Sequence, residues 1–171
     1  MKLLRALLVL VVLAVAAYFA YRYVVEAGWR TADTVTVYYC KTDGETLAPW
    51  KVSLGVPVSG TTDRRTDIAA YALAQALVGP PPPTAAIRFP PGTVARGLNI
   101  QGSTVTVDLG GTIAGSTGGS FAEAGEFKAL VWTLTALPGI SAVQIEIDGH
   151  KVPALPGGHL ELDQPLSRSN F

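Results

Sequence analysis

The chain opens on a run that few folds can absorb. From Ala6 to Tyr21, sixteen residues carry no charge and are dominated by Leu, Val and Ala; Arg22 interrupts, and Tyr23-Val24-Val25 resume the pattern. A helix rises about 1.5 Å per residue, so about twenty residues cross the roughly 30 Å hydrocarbon layer of a membrane. Leu3 to Tyr23 reaches that length if Arg5 and Arg22 extend their charged heads toward opposite interfaces. Tyr18, Tyr21, Tyr23 and Trp29 gather at the C-terminal end, where amphipathic rings prefer the interface. Lys2 and Arg5 precede the run, which by the positive-inside rule keeps the N-terminus in the cytoplasm. The competing reading is a cleaved signal peptide with Ala14-Val15-Ala16 at the cleavage site; the bulky Tyr18-Phe19 that follow weigh against it. Both readings export the remainder. The expected organisation is therefore a signal anchor and juxtamembrane segment over residues 1–30, spanning the cell membrane through residues 3–23, and an extracytoplasmic domain over residues 31–171.

The exported part is of one-domain size, since the whole chain has 171 residues. It holds 9 basic and 12 acidic residues, a net of −3. A mildly acidic body without clustered cations is a poor match for a phosphate backbone, so no nucleic-acid partner is expected. The single cysteine, Cys40, excludes an intrachain disulfide and a four-cysteine zinc site. It lies in a strand-like run far from the apolar segment, unlike a lipid-attachment cysteine.

Periodicity divides the body into short elements. Val35, Val37 and Tyr39 alternate with Thr34, Thr36 and Tyr38, a half-buried strand, and Lys41-Thr42-Asp43-Gly44-Glu45 is turn chemistry. Leu47 to Val58 reads as a proline-broken returning strand at an edge. Thr62 or Asp63 caps a helix whose stripe is Ile68, Ala69, Ala72, Leu73, Ala76 and Leu77. Gly79 stops it, and Pro80 to Pro83 read as a stiff extended spacer. Val94 to Ile100 and Ser103 to Leu109 are strands joined at Gln101-Gly102, followed by a flexible loop from Gly110 to Gly119. Ser120 and Glu123 form a capping box for a second helix with the stripe Phe127, Leu130, Val131, Leu134 and Leu137. Val143, Ile145 and Ile147 mark a last clear strand, with a short return at Lys151-Val152 and a loop-like tail that is at most briefly extended at His159 to Leu162. This order predicts an α+β fold: a single mixed or mostly antiparallel sheet with two helices packed on one face, preceded by the N-terminal transmembrane helix.

Catalytic patterns are sparse. The two histidines, His150 and His159, have Ser167 and Asp163 within sequence reach, but no serine sits in a nucleophile elbow. The same histidines with Asp148, Glu161 and Asp163 match no metal-ligand spacing. Gly110-Gly111 and Gly115-Ser116 before a helix resemble a phosphate cradle, yet Ser116-Thr117 follow with no lysine, and Glu123 and Glu126 would repel a phosphate. No catalytic, cofactor-binding or metal residue is assigned, no cofactor is implied, and the chain is not expected to be an enzyme.

Ordered motifs along residues 33–169 resemble a known family. They include Val35-Thr36-Val37-Tyr38-Tyr39, Gly79-Pro80-Pro81, Phe89-Pro90-Pro91-Gly92-Thr93, and the strand Gly102-Ser103-Thr104-Val105-Thr106-Val107-Asp108-Leu109. Leu130-Val131-Trp132-Thr133-Leu134-Thr135, Pro138-Gly139-Ile140, Asp148-Gly149 and Gln164-Pro165-Leu166-Ser167-Arg168 complete the set. Together they are similar to the GerMN domain of bacterial sporulation and germination proteins. The resemblance implies an extracytoplasmic, non-enzymatic module on a lipid or transmembrane anchor, related to ring-building motifs of envelope channels. A single copy with a transmembrane-like start departs from family chains that carry two copies or a lipoprotein cysteine, so no specific spore role is carried over.

The leading expectation is a membrane-anchored envelope scaffold or adaptor that acts through envelope or membrane proteins, with self-association as a second mode. The rival is a cell-wall module binding peptidoglycan or polysaccharide, with Trp50, Tyr38 or Trp132 as stacking platforms, although Trp132 reads as core. A compartment-sensitive reporter fused after Phe171 is expected to be active outside the cytoplasm; cytoplasmic activity would contradict the export reading.

Overall fold

The computed structural model describes residues 2–30, 33–54, 63–115 and 120–171. Its elements run α1 (Lys2–Arg30), β1 (Thr34–Cys40), β2 (Leu47–Ser53), α2 (Arg64–Val78), β3 (Thr93–Gln101), β4 (Thr104–Gly111), α3 (Ser120–Leu134) and β5 (Ala142–Ile147). Single 3₁₀ turns lie at Thr112–Gly115 and Arg168–Asn170. The chain divides into two compact units, Met1–Ala32 and Asp33–Phe171.

The first unit is α1, whose 29 residues extend about 43 Å at about 1.5 Å per residue, longer than the hydrocarbon layer. Arg5–Trp29 is apolar enough to cross a membrane, and its side chains from Leu7 to Leu13 are exposed. Arg22 pairs with Glu26 one turn on, at 3.5 Å, which offsets the charge that interrupts the apolar run. Such a helix fits a membrane anchor or a signal sequence.

The second unit has the expected α+β class, but its strands divide between two small sheets. β1 and β2 pair antiparallel from Thr34 opposite Ser53 to Cys40 opposite Leu47. In the other sheet β4 lies between β3, antiparallel, and β5, parallel, with α3 in the β4–β5 crossover. The division has a local cause. The Tyr38 amide donates to the Thr133 hydroxyl of α3 at 2.9 Å, and the Cys40 carbonyl accepts from the Ile87 amide at 2.9 Å. A helix side chain and a loop thus occupy backbone groups that a further strand would have needed.

α3 departs from the one-stripe expectation as well. Phe127, Leu130, Val131 and Leu134 are buried, but so are Glu123, Glu126, Ala129 and Thr133. A helix buried on most sides has neighbours on most sides; α3 packs on β1, α2 and β5. Val35 and Val37, Ile68, Ala69, Ala72 and Leu73, Val105, Val107 and Leu109, and Val143 and Ile145 complete the core. In α2, Ala76 and Leu77 are only half-buried.

Several junctions differ from expectation. Asp63 is the N-cap of α2, but its side chain makes no cap bond; its carbonyl accepts from the Asp67 amide instead. Thr62, the other cap expected, lies outside the described residues. So do the end of the second strand-like run (55–58), Ser116-Thr117 of the glycine-rich segment, and the Ser120 side chain of the expected capping box. The prolines after α2 form a turn rather than an extended spacer, because the Arg88 guanidinium gathers the carbonyls of Val78, Pro80 and Thr84 at 3.0, 2.6 and 3.3 Å. The β3–β4 connection is Gly102-Ser103, one residue beyond the expected pair, with Gln101 opposite Thr104 and Gly102 at φ +61°. Gly110 and Gly111 belong to β4, and Ile113 is fully buried, so the start of the expected flexible loop is ordered. Lys151-Val152 forms no strand; the return is a single bridge between Ile147 and His150. The tail is anchored instead of looping freely: Leu155, Leu162 and Leu166 are buried, and Leu166 bridges Val143 in both directions at 2.8 Å.

Thr133→Val removes the acceptor for the Tyr38 amide while keeping the side-chain shape. Denaturant unfolding is expected to show a loss of about 1–2 kcal/mol, with an unchanged slope; an unaltered midpoint would mean that this hydrogen bond does not hold β1.

Candidate functional site

Two surfaces of the second unit carry chemistry, one on α3 and one on the larger sheet. On α3 the buried positions leave position 132 facing outward. Trp132, expected in the core, is half-buried there. Lys128, one turn earlier, places its ammonium 5.9 Å from the indole centroid and donates to the Glu45 carbonyl at 2.9 Å. From the tail, the Arg168 guanidinium stands 5.6 Å from the same ring, anchored by hydrogen bonds to the Thr135 hydroxyl at 2.9 Å and the Trp132 carbonyl at 3.4 Å. The Phe171 ring meets it edge-on at 6.0 Å. Each cation over the indole face contributes about 0.5–1 kcal/mol at an exposed site and fixes the ring's orientation. Trp50 and Tyr38 are elsewhere: they are half-buried in the β1–β2 sheet, opposite Val37 and Pro49.

On the larger sheet, strand alternation sends Val105, Val107, Leu109, Val143 and Ile145 toward the core. The other face carries the row Asn99–Thr106–Gln144, flanked by Gln101–Thr104 and Asp108–Glu146. Asn99, Gln101, Thr104, Thr106, Gln144, Glu146, Lys151 and Pro165 line a cleft of about 550 Å³. Gln144 is 3% exposed because the tail passes beside it. Its Nε2 donates to the carbonyls of Leu162 at 2.9 Å and Ile145 at 3.0 Å, while Oε1 has no partner. A buried acceptor without a donor costs about 1–3 kcal/mol.

Two carboxylates sit one turn apart on the buried surface of α3. Glu123 accepts from the His159 amide at 3.3 Å through one oxygen, while the other has no partner. Gly158 lies so close to this carboxylate that a Cβ there would force the Glu123 side chain to shift. Burial, then repulsion from Glu123, pushes the Glu126 carboxyl up to about 7. Burial likewise raises the Cys40 thiol, which packs against Gly125 of α3. By contrast, hydrogen bonds from the Thr46 side chain and from the Thr46 and Glu45 amides hold the exposed Asp43 down at about 2, fixing the β1–β2 turn.

The candidates that the sequence brought near one another do not assemble. His150 lies exposed in the turn after β5, and His159 lies exposed in the tail. The Ser167 hydroxyl bonds to Ser169 at 2.7 Å and Asn170 at 3.0 Å. Asp148 pairs with Arg96 at 3.2 Å, and Arg96 reaches Asp108 at 3.6 Å. Glu161 and Asp163 are exposed. Among the described residues no three His, Cys, Asp or Glu side chains gather as a metal ion requires. Gly111 is needed for packing, because the Gly92 carbonyl leaves no room for a Cβ and φ is +76°, whereas a Cβ at Gly110 would displace the exposed Arg96 and Asp148 side chains. The cleft and the acid pair were not singled out from sequence. Alternation placed Thr104, Thr106 and Asp108 on one face, but no sequence signal brings Lys151 and Pro165 to its rim.

The second unit is thus an α+β domain of two small sheets around one buried helix, with a polar cleft and an aromatic–cation surface. Residues 36–153 match the family described as Germane: Sporulation and spore germination, and the chain belongs to that family. It is not known as an enzyme family. The first GerMN domain of the sporulation protein GerM from Bacillus subtilis superposes with a TM-score of 0.58 at 19% identity, covering 81% of this chain and 99% of that one. The tandem GerMN domains of the same protein give 0.57 at 20% identity, covering 80% of this chain and 46% of that one. A candidate lipoprotein from Clostridium perfringens gives 0.55 at 18% identity, covering 80% and 88%. The GerMN resemblance read from the motifs is borne out. No curated protein matches the sequence.

Glu126 gives the fold a pH dependence of definite sign. From its ordinary value near 4.5 up to about 7 the folded chain keeps a proton that the unfolded chain releases, so stability falls as pH rises through that window. Glu126→Gln is expected to flatten this slope and to be more stable than the parent at pH 8 by on the order of 2 kcal/mol. Parallel melting curves for the two proteins from pH 5 to 8 would contradict it.

Proposed function

We propose that the protein is a membrane-anchored extracytoplasmic adaptor of the bacterial envelope, working by protein–protein contact in a sporulation- or germination-type assembly. α1 is the anchor in this reading. Lys2 and Arg5 hold its start in the cytoplasm, and the second unit lies outside. Membership of the sporulation and germination family supports the setting, as do the GerM domains of the same fold.

The observation that carries the reading is the Trp132 surface. Large aromatics and arginines dominate binding energy at protein interfaces when they are rigid and centrally placed. Here one indole is held between Lys128 and Arg168, with its backbone in a buried helix and its neighbours pinned by hydrogen bonds. A preordered ring loses little conformational entropy on docking. The tail that supplies Arg168 is itself locked to β5 through Leu166, so the surface is a product of the whole fold.

Photo-crosslinking from position 132 in intact cells, compared with the exposed Lys51 of β2, is expected to yield a discrete adduct from position 132 alone. Trp132→Ala is expected to weaken recovery of that partner by about tenfold or more, near 2 kcal/mol, while the variant stays folded with a melting temperature lowered by the loss of the ring's contacts to Lys128, Arg168 and Phe171. Equal recovery by parent and variant would refute the assignment of this surface.

A further inference from the structure

The geometry points to a saccharide-binding site in the cleft on the polar face of the β3–β4–β5 sheet, a site separate from the Trp132 surface and independent of the adaptor reading. The cleft's volume of about 550 Å³ lies within the about 300–1,000 Å³ of small-ligand sites. Its chemistry narrows the ligand. Amides from Asn99 and Gln101 and hydroxyls from Thr104 and Thr106 offer both donors and acceptors, and the two charges, Glu146 and Lys151, are opposite in sign. An apolar ligand would leave these groups desolvated and unpaired. A polyanion would meet one cation and one carboxylate.

A peptide strand is also a poor fit. Strand addition uses the free backbone of a sheet edge, whereas this cleft lies across the face, where the backbone of β4 is already paired on both sides. The remaining contacts are side-chain amides and hydroxyls, which suit a ligand carrying several neutral hydroxyl and amide groups, such as a chain of N-acetylated amino sugars. Gln144 shapes the wall of the cleft: its Nε2 donates to the carbonyls of Leu162 and Ile145, which fixes the side chain, and its Oε1 is enclosed. No aromatic ring lines the cleft to stack on a sugar. Affinity therefore rests on hydrogen bonds exchanged with water, and a single site is weak, with a Kd of about 1 mM.

The test is NMR titration of the full chain in detergent micelles with the tetramer of N-acetylglucosamine, following the side-chain amide signals of Asn99, Gln101 and Gln144. Saturable shifts at these signals are expected. Thr106→Lys, which places a long cation on the cleft floor, is expected to raise the Kd by about tenfold or more, and Asn99→Ala to raise it by a smaller factor. Lys51→Ala, an exposed change on β2 of the other sheet, is expected to leave it unchanged. Melting curves establish that each variant is folded, and Asn99→Ala provides the reading if Thr106→Lys is not. The proposal is overturned if no saturable shift appears up to about 20 mM sugar, well above that Kd. It is likewise overturned if both cleft variants bind as the parent does, or if shifts map to Trp132 and its neighbours instead.

Discussion

Burial of α3 is the constraint from which the rest of the domain follows. One helix of fifteen residues serves both sheets and α2, so its surface has almost no side left to give to water. That requirement explains its small and apolar composition, with Ala122, Ala124, Gly125 and Ala129 among Phe127, Leu130, Val131 and Leu134. It also explains why Gly125 is tolerated inside a helix at a propensity cost near 1 kcal/mol: a Cβ there would press on Ile87 at 2.8 Å and on the Cys40 sulfur at 3.3 Å. The same closeness lets Thr133 reach the Tyr38 amide and ends β1 as a sheet member on that side.

The polar groups caught in this packing are informative because they run against it. Glu123 and Glu126 sit where the helix must be buried, and desolvation, followed by repulsion from Glu123, raises the Glu126 carboxyl to about 7. The tail that covers Glu123 through Gly158 and His159 goes on to order Gln144, bridge Val143, and deliver Arg168 to Trp132. One extended segment without regular structure thus links the acid pair, the sheet cleft and the aromatic surface. Distant parts of the domain therefore share a support, and a change in how the tail seats would be felt at each of them.

Much of the local structure was legible. The charge-free run from Ala6 to Tyr21, the alternation in Val105-Thr106-Val107, and the stripe Ile68, Ala69, Ala72 and Leu73 each report a period that one element alone sets. The ordered motifs were likewise enough to place the chain in its family. Less legible were features that depend on a partner distant in sequence. Arg88 turned an apparent proline spacer into a turn by collecting three carbonyls. Trp132, Lys128, Arg168 and Phe171 converge only when the tail folds back.

The sequence by itself determined the apolar leading helix, the α+β class and the faces of the strands, because hydrophobic spacing is written along a single segment. The tertiary structure alone decided that the strands form two sheets, that α3 is enclosed on most sides, that Trp132 faces outward, and that a polar cleft forms on the larger sheet. Those outcomes turn on which backbone groups and side chains meet across tens of residues, and periodicity within one element carries no information about its neighbours.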